Sequence, residues 1–128
     1  MEAGSVRTSP ILIALADAER GTTGEIRVHL SRRWIERDPF TRATALFREF
    51  GMGRTARRNA VLVYVNLRRR KFALVADEGI TESVGARFWE KLSRELTVDL
   101  RSTHPENAVA MTVSRIGDAL RKYFPEEL

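Results

Sequence analysis

The chain has 128 residues, 43% of them hydrophobic and 30% charged, which is enough for one compact domain with a real core. It contains no cysteine, so a disulfide framework, a thiolate zinc site and a cysteine nucleophile are excluded, and its two histidines, His29 and His104, leave little for an imidazole-rich metal site. The 22 Lys and Arg against 17 Asp and Glu give a net charge of +5, a balance that speaks to solubility and weak association with acidic partners before it speaks to function.

Near the start, only Pro10 to Ala16 is apolar, with acids soon after, which suits a helix face better than a signal peptide. No apolar run approaches the roughly 20 residues of a membrane span. The sequence therefore reads as soluble and, by default, cytoplasmic.

Ser9-Pro10 is a cap followed by Pro at the first helical position, and Ile11, Leu12, Leu15 and Ala18 recur at helical spacing, which predicts a helix over about 9–20. After the turn GTTG, EIRVHL alternates strictly: Ile26, Val28 and Leu30 on one face, Glu25, Arg27 and His29 on the other. Asp38-Pro39 repeats the cap-plus-Pro signal, and Phe40, Ala43, Leu46, Phe47 and Phe50 form an apolar stripe ending at Gly51. The continuous run AVLVYVN predicts a central strand buried on both faces. LRRR then connects it to KFALVA, which predicts an antiparallel hairpin. Beyond it Ile80, Val84, Phe88, Leu92 and Leu96 step by four, with Gly85 dividing a short turn from a helix over about 86–100. Thr103 and Glu106 spell a capping box around Pro105, and Val109, Val113, Ile116, Leu120 and Phe124 supply a last buried stripe before Pro125. The order predicts a three-layer α/β/α sandwich, Rossmann-like, with a small mixed sheet and helices on both faces.

If the first two strands are parallel, the end of the third lies beside their amino ends. Three loops then meet: Thr22 to Glu25, Arg57 to Asn59 and Asp77 to Gly79. Carboxylates and an amide oxygen are the hard ligands that suit Ca²⁺ or Mg²⁺, and an arginine beside them could hold a phosphate. A bland reading stands next to this one. Asp77 could start the next helix, Glu25 could pair with an arginine, and Asn59 could be a turn residue. His29 reads as a sheet-face residue and His104 as a helix-start residue. Trp34, in the polar loop SRRWIERD, is expected to pack over a helix end.

Seven basic residues lie between Arg54 and Lys71, but strand residues at about 3.3 Å each put the two groups roughly 20 Å apart, at opposite ends. With Phe72, Phe88 and Trp89 fitting core positions, no stacking platform for nucleic acid is left, and such a partner is not expected.

Thr23-Gly24-Glu25-Ile26, Arg58-Asn59-Ala60-Val61-Leu62-Val63 and Asp77-Glu78-Gly79-Ile80, in that order, resemble the TPM domain over roughly 9–124. Its founders are a thylakoid-lumen phosphatase-like protein, a photosystem-II-associated protein and a receptor modulator. The resemblance implies an α/β/α sandwich, divalent-metal binding in some members and acid phosphatase activity in a few. Carried onto this sequence, it makes Glu25, Asn59, Asp77 and Glu78 candidate ligands for Ca²⁺ or Mg²⁺ and Arg58 a candidate phosphate contact. Ala60 stands where the family usually has Gly, and Asn59 is a poorer ligand than aspartate. The expected function is thus a non-catalytic or weakly active domain that binds a protein partner or a metal. The alternative is a metal-dependent acid phosphatase acting on a small phosphomonoester.

Overall fold

The computed structural model describes residues 9–127. Five helices and three strands follow one another as α1 (Pro10–Ala18), β1 (Glu25–Ser31), α2 (Pro39–Glu49), β2 (Ala60–Asn66), β3 (Lys71–Ala76), α3 (Glu78–Val84), α4 (Ala86–Ser102) and α5 (Pro105–Tyr123), with a single 3₁₀ turn at Met52–Arg54. The sheet order is β1-β2-β3, β1 parallel to β2 and β3 antiparallel to it.

All seven residues of β2 are buried, because the strand is central and both its faces are covered. Val61, Val63 and Val65 face one core with Ile26, Leu92, Leu96, Val109, Val113 and Ile116. Leu62 and Tyr64 face a second core with Ala43, Leu46 and Met52. The three layers are therefore α2 on one face, the sheet, and α1, α4 and α5 on the other, as the pattern of the sequence predicts. On the thicker side α1 lies close to α5: a Cβ built on Gly117 would come within 2.6 Å of the Ala18 Cβ, so glycine is what lets these helices touch.

The ends of the elements obey local rules. The Ile11 N–H donates to Ser9 Oγ and the Thr41 N–H to Asp38 Oδ1, so both cap-plus-Pro signals are realised. Gly85 separates α3 from α4. Three expectations need correction. The capping box at Thr103 does not form: Pro105 takes the first helical position, the cap falls to His104, whose Nδ1 accepts the Glu106 N–H, and Thr103 Oγ1 donates to the Asp99 carbonyl that ends α4. Leu30 and Phe40, placed on the apolar face of β1 and in the apolar stripe of α2, are exposed, each near an end of its element. Trp34 does not pack over a helix end. It is 71% exposed, and Arg68 lies over its ring at 3.7 Å from the centroid.

Candidate functional site

The parallel pairing of β1 with β2 and the hairpin from β2 to β3 bring the three predicted loops to one end of the sheet. The register sets Glu25 against Ala60 and Val61 against Ala76. Backbone bonds stitch the loops together: the Glu25 N–H donates to Asn59 O, Asp77 to Ala60 O and Ile80 to Arg58 O.

At this junction Arg58 adopts a left-handed backbone (φ 53°), sparsely populated by non-glycine residues, which turns the chain into β2. Its guanidinium grips Asp77 as a fork, Nε to Oδ2 at 2.7 Å and Nη2 to Oδ1 at 2.8 Å. Asp77 Oδ1 also accepts the Glu78 N–H at 2.8 Å and so caps α3. Both oxygens of the buried carboxylate are engaged. The Arg58 guanidinium holds the Asp77 carboxyl below the usual carboxylate range against the opposing effect of burial, with the Glu78 N–H assisting.

The other candidates are placed as follows. Asn59 is 1% exposed, and its side-chain amide donates to Thr23 Oγ1 at 3.1 Å, tying the first loop to the second. Glu25 projects into solvent from the first position of β1. The Glu78 side chain is 66% exposed and lies 3.4 Å from Arg58 Nη1. Gly79 is fixed by contact rather than by a ligand: a Cβ there would lie 2.2 Å from the Arg57 carbonyl and 2.6 Å from that of Arg58, so the start of α3 rests directly on the Arg57–Arg58 turn.

As a donor set for a divalent cation, these residues do not fit in this arrangement. Among the described residues no group of three or more carboxylate or imidazole side chains converges. A cation at Asp77 would have to displace a guanidinium that already satisfies both oxygens. Arg58 is accordingly the carboxylate's partner here, with its own side chain 47% exposed.

At the opposite end of β2 lies a second buried carboxylate, which the linear sequence did not reveal. Glu36 Oε1 accepts from Tyr64 Oη at 2.6 Å and from Asn66 Nδ2 at 3.0 Å, and the Glu36 carbonyl accepts from Lys71 Nζ. Burial pushes the Glu36 carboxyl up, but the bonds from Tyr64 and Asn66, with Arg33 and Arg42 nearby, outweigh it and leave it lowered. A signal was available. Tyr64 and Asn66 are polar groups in a fully buried strand, and such groups require partners. His29 stacks on Tyr64 with centroids 5.6 Å apart, and burial, then Arg42 and Arg27, push its imidazole down.

The profile of the TPM domain matches residues 8–119. The chain belongs to the TPM domain family. Among solved structures, this TPM domain is similar to the BA42 protein of the psychrophilic bacterium Bizionia argentinensis, at 34% identity over 91% of this chain and 80% of that one, with a TM-score of 0.81. It also shares its fold with the N-terminal domain of the cg2496 protein of Corynebacterium glutamicum, at 12% identity over 92% of this chain and 76% of that one, with a TM-score of 0.67. No curated protein matches the chain. Among the described residues no helix is long and apolar enough to cross a membrane.

Proposed function

We propose that this TPM domain works by binding a partner rather than by hydrolysis, with Asp77 in a structural role. The observation that carries this reading is the fork from Arg58 to Asp77. The carboxylate that would lead a metal site is buried, has both oxygens engaged and caps α3. Arg58 is likewise occupied, which removes it from phosphate binding while the fork stands. An amide chemical-shift titration with Ca²⁺ and then Mg²⁺ tests the reading. No saturable shifts clustered at residues 23–25, 57–60 and 77–80 are expected, and clustered, saturable shifts there would contradict it.

One observation favours the alternative, a divalent-metal-dependent phosphatase. Arg58 combines a strained backbone with a half-exposed side chain, and strain of that kind gathers at functional sites. If Arg58 swung outward to a phosphate, Asp77 would be freed, with Glu25, Asn59 and Glu78 around it. On that reading Asp77→Asn abolishes metal-dependent turnover of a phosphomonoester. Unchanged turnover in that variant removes it.

A further inference from the structure

The outer edge of β3 is unpaired among the described residues, since β3 ends the sheet order. The ladder phase identifies the groups it presents. The Asp77 N–H donates to Ala60 O, so Ala60 and Asp77 form a hydrogen-bonded pair, and the register makes Leu62 with Val75, Tyr64 with Ala73 and Asn66 with Lys71 the others facing inward. The backbone groups of Phe72, Leu74 and Ala76 therefore point outward. Consistent with this, the Ala76 carbonyl accepts from Thr81 Oγ1 at 3.4 Å on the side away from β2, which leaves its second lone pair for a further donor.

Between Phe72 and Ala76 this edge lacks three of the usual devices against pairing. Phe72 to Ala76 contains no charge and no proline, and its register with β2 is unbroken by a bulge. The strand forms one side of a groove of about 480 Å³, flanked by Phe40 at the start of α2, 58% exposed, and by Trp89 and Ser93 of α4. The Trp89 indole Nε1, which belongs to this wall, is buried with no hydrogen-bond partner among the described residues.

The charges flanking the edge identify its occupant. The segment from Arg70 to Glu78 reads RKFALVADE, two basic residues, five apolar ones and two acidic ones, symmetrical about Leu74. Arg70 and Lys71 are bonded to backbone carbonyls, of Leu100 and Glu36, and neither is in an ion pair with a carboxylate among the described residues. With Asp77 taken by Arg58, an antiparallel strand of the same sequence is complementary to it through Arg70 and the exposed Glu78.

We propose that β3 pairs with β3 of a second copy of this chain across a two-fold axis at Leu74. The result is a continuous six-stranded sheet with a self-complementary interface. In this register Leu74 exchanges both backbone bonds with the partner's Leu74. Phe72 exchanges both with the partner's Ala76, and Ala76 with the partner's Phe72. Arg70 comes beside the partner's Glu78, the exposed carboxylate of this edge. The inference goes beyond the proposed binding role and does not depend on whether Asp77 ever holds a metal.

Hydrogen exchange on the wild-type chain, with sedimentation equilibrium at the same concentrations, tests this without a variant. Amides of Ala73 and Val75 are protected by β2 in any state; those of Phe72, Leu74 and Ala76 are expected to become protected as dimer forms. A chain that stays monomeric at the concentrations used for NMR overturns the proposal. So does a dimer in which those three amides exchange freely, or one in which an unrelated extended peptide, and not a second copy, protects them. Charge reversal then tests the register. Arg70→Glu and Glu78→Arg each set like charges face to face at both symmetric contacts and should weaken the dimer by roughly tenfold. Mixing the two variants sets opposite charges at both contacts and should restore it. If the single variants associate as wild type does, or if the mixture fails to recover, this register is wrong.

Discussion

The two ends of β2 each hold a buried carboxylate, and they satisfy it in opposite ways. At the amino end Asp77 meets a cation: Arg58 takes both oxygens, and the pair closes on itself. At the carboxyl end Glu36 is held by neutral donors, Tyr64 and Asn66, while the arginines of the same loop stay outside. The carboxyl end is also where the basic residues are in excess. Arg32, Arg33, Arg37 and Arg42, with Arg68 to Lys71, stand against Glu36 and Asp38 in residues 32–42 and 67–71, eight basic to two acidic, or +6. The remaining residues then carry 14 basic and 15 acidic groups, or −1, so the whole surplus of the chain lies at this end.

Substitutions at the two ends should therefore differ in their effects. The largest effect is expected from Gly79→Ala at the amino end. The new Cβ meets two backbone carbonyls, which cannot move aside as a side chain would, and overpacking of this kind costs about 3 kcal/mol. Thermal or urea denaturation reads it out; a loss below about 1 kcal/mol would show that the turn and α3 are not in the contact described.

At the carboxyl end, Glu36→Ala leaves the buried Tyr64 hydroxyl without its acceptor and the Asn66 amide with the Arg33 carbonyl alone, which should destabilise by roughly 2 kcal/mol. Glu36→Gln keeps a carbonyl acceptor for both neutral donors and should cost less than half as much. Equal losses in the two variants would mean that the charge, not the acceptor, matters there, against the contrast drawn above. Asp77→Asn should cost roughly 1 to 2 kcal/mol, because the charge-assisted fork is lost while a cap remains possible.

A smaller and slower effect is expected with pH. Both carboxylates are held below the ordinary value of about 4, so the unfolded chain binds their protons first as pH falls. Their contribution is complete above about pH 5 and is lost as pH drops through the folded values. The acid limb of the stability curve should flatten in Asp77→Asn and, separately, in Glu36→Gln. An unaltered limb in either variant removes that group from the account.

Much of the architecture was legible in the sequence because its signals are local. The strict alternation of EIRVHL, the unbroken run AVLVYVN and the two cap-plus-Pro pairs each specify an element from neighbouring residues alone. The convergence of three loops followed from topology, and the structure brings them together. Less legible was what those loops do there. Arg58 and Asp77 are 19 residues apart and meet only across the hairpin, so sequence could offer both as ligands but could not show that each is the other's partner. Glu36 was hidden because the residues on either side of it, Arg32 to Ile35 and Arg37 to Asp38, are exposed, while its true partners are two polar residues within a buried strand. Thr103 misled because the capping pattern ignores that Pro105 shifts the cap to the residue before it.

Whether Asp77 belongs to Arg58 can be read by titrating the Asp77 side-chain carboxyl carbon by NMR in the wild-type chain and in Arg58→Gln. The expected midpoint lies below the ordinary carboxylate range in the wild type and moves up once the guanidinium is gone. An ordinary midpoint in the wild type, unmoved by Arg58→Gln, would contradict it and return Asp77 to the search for a ligand.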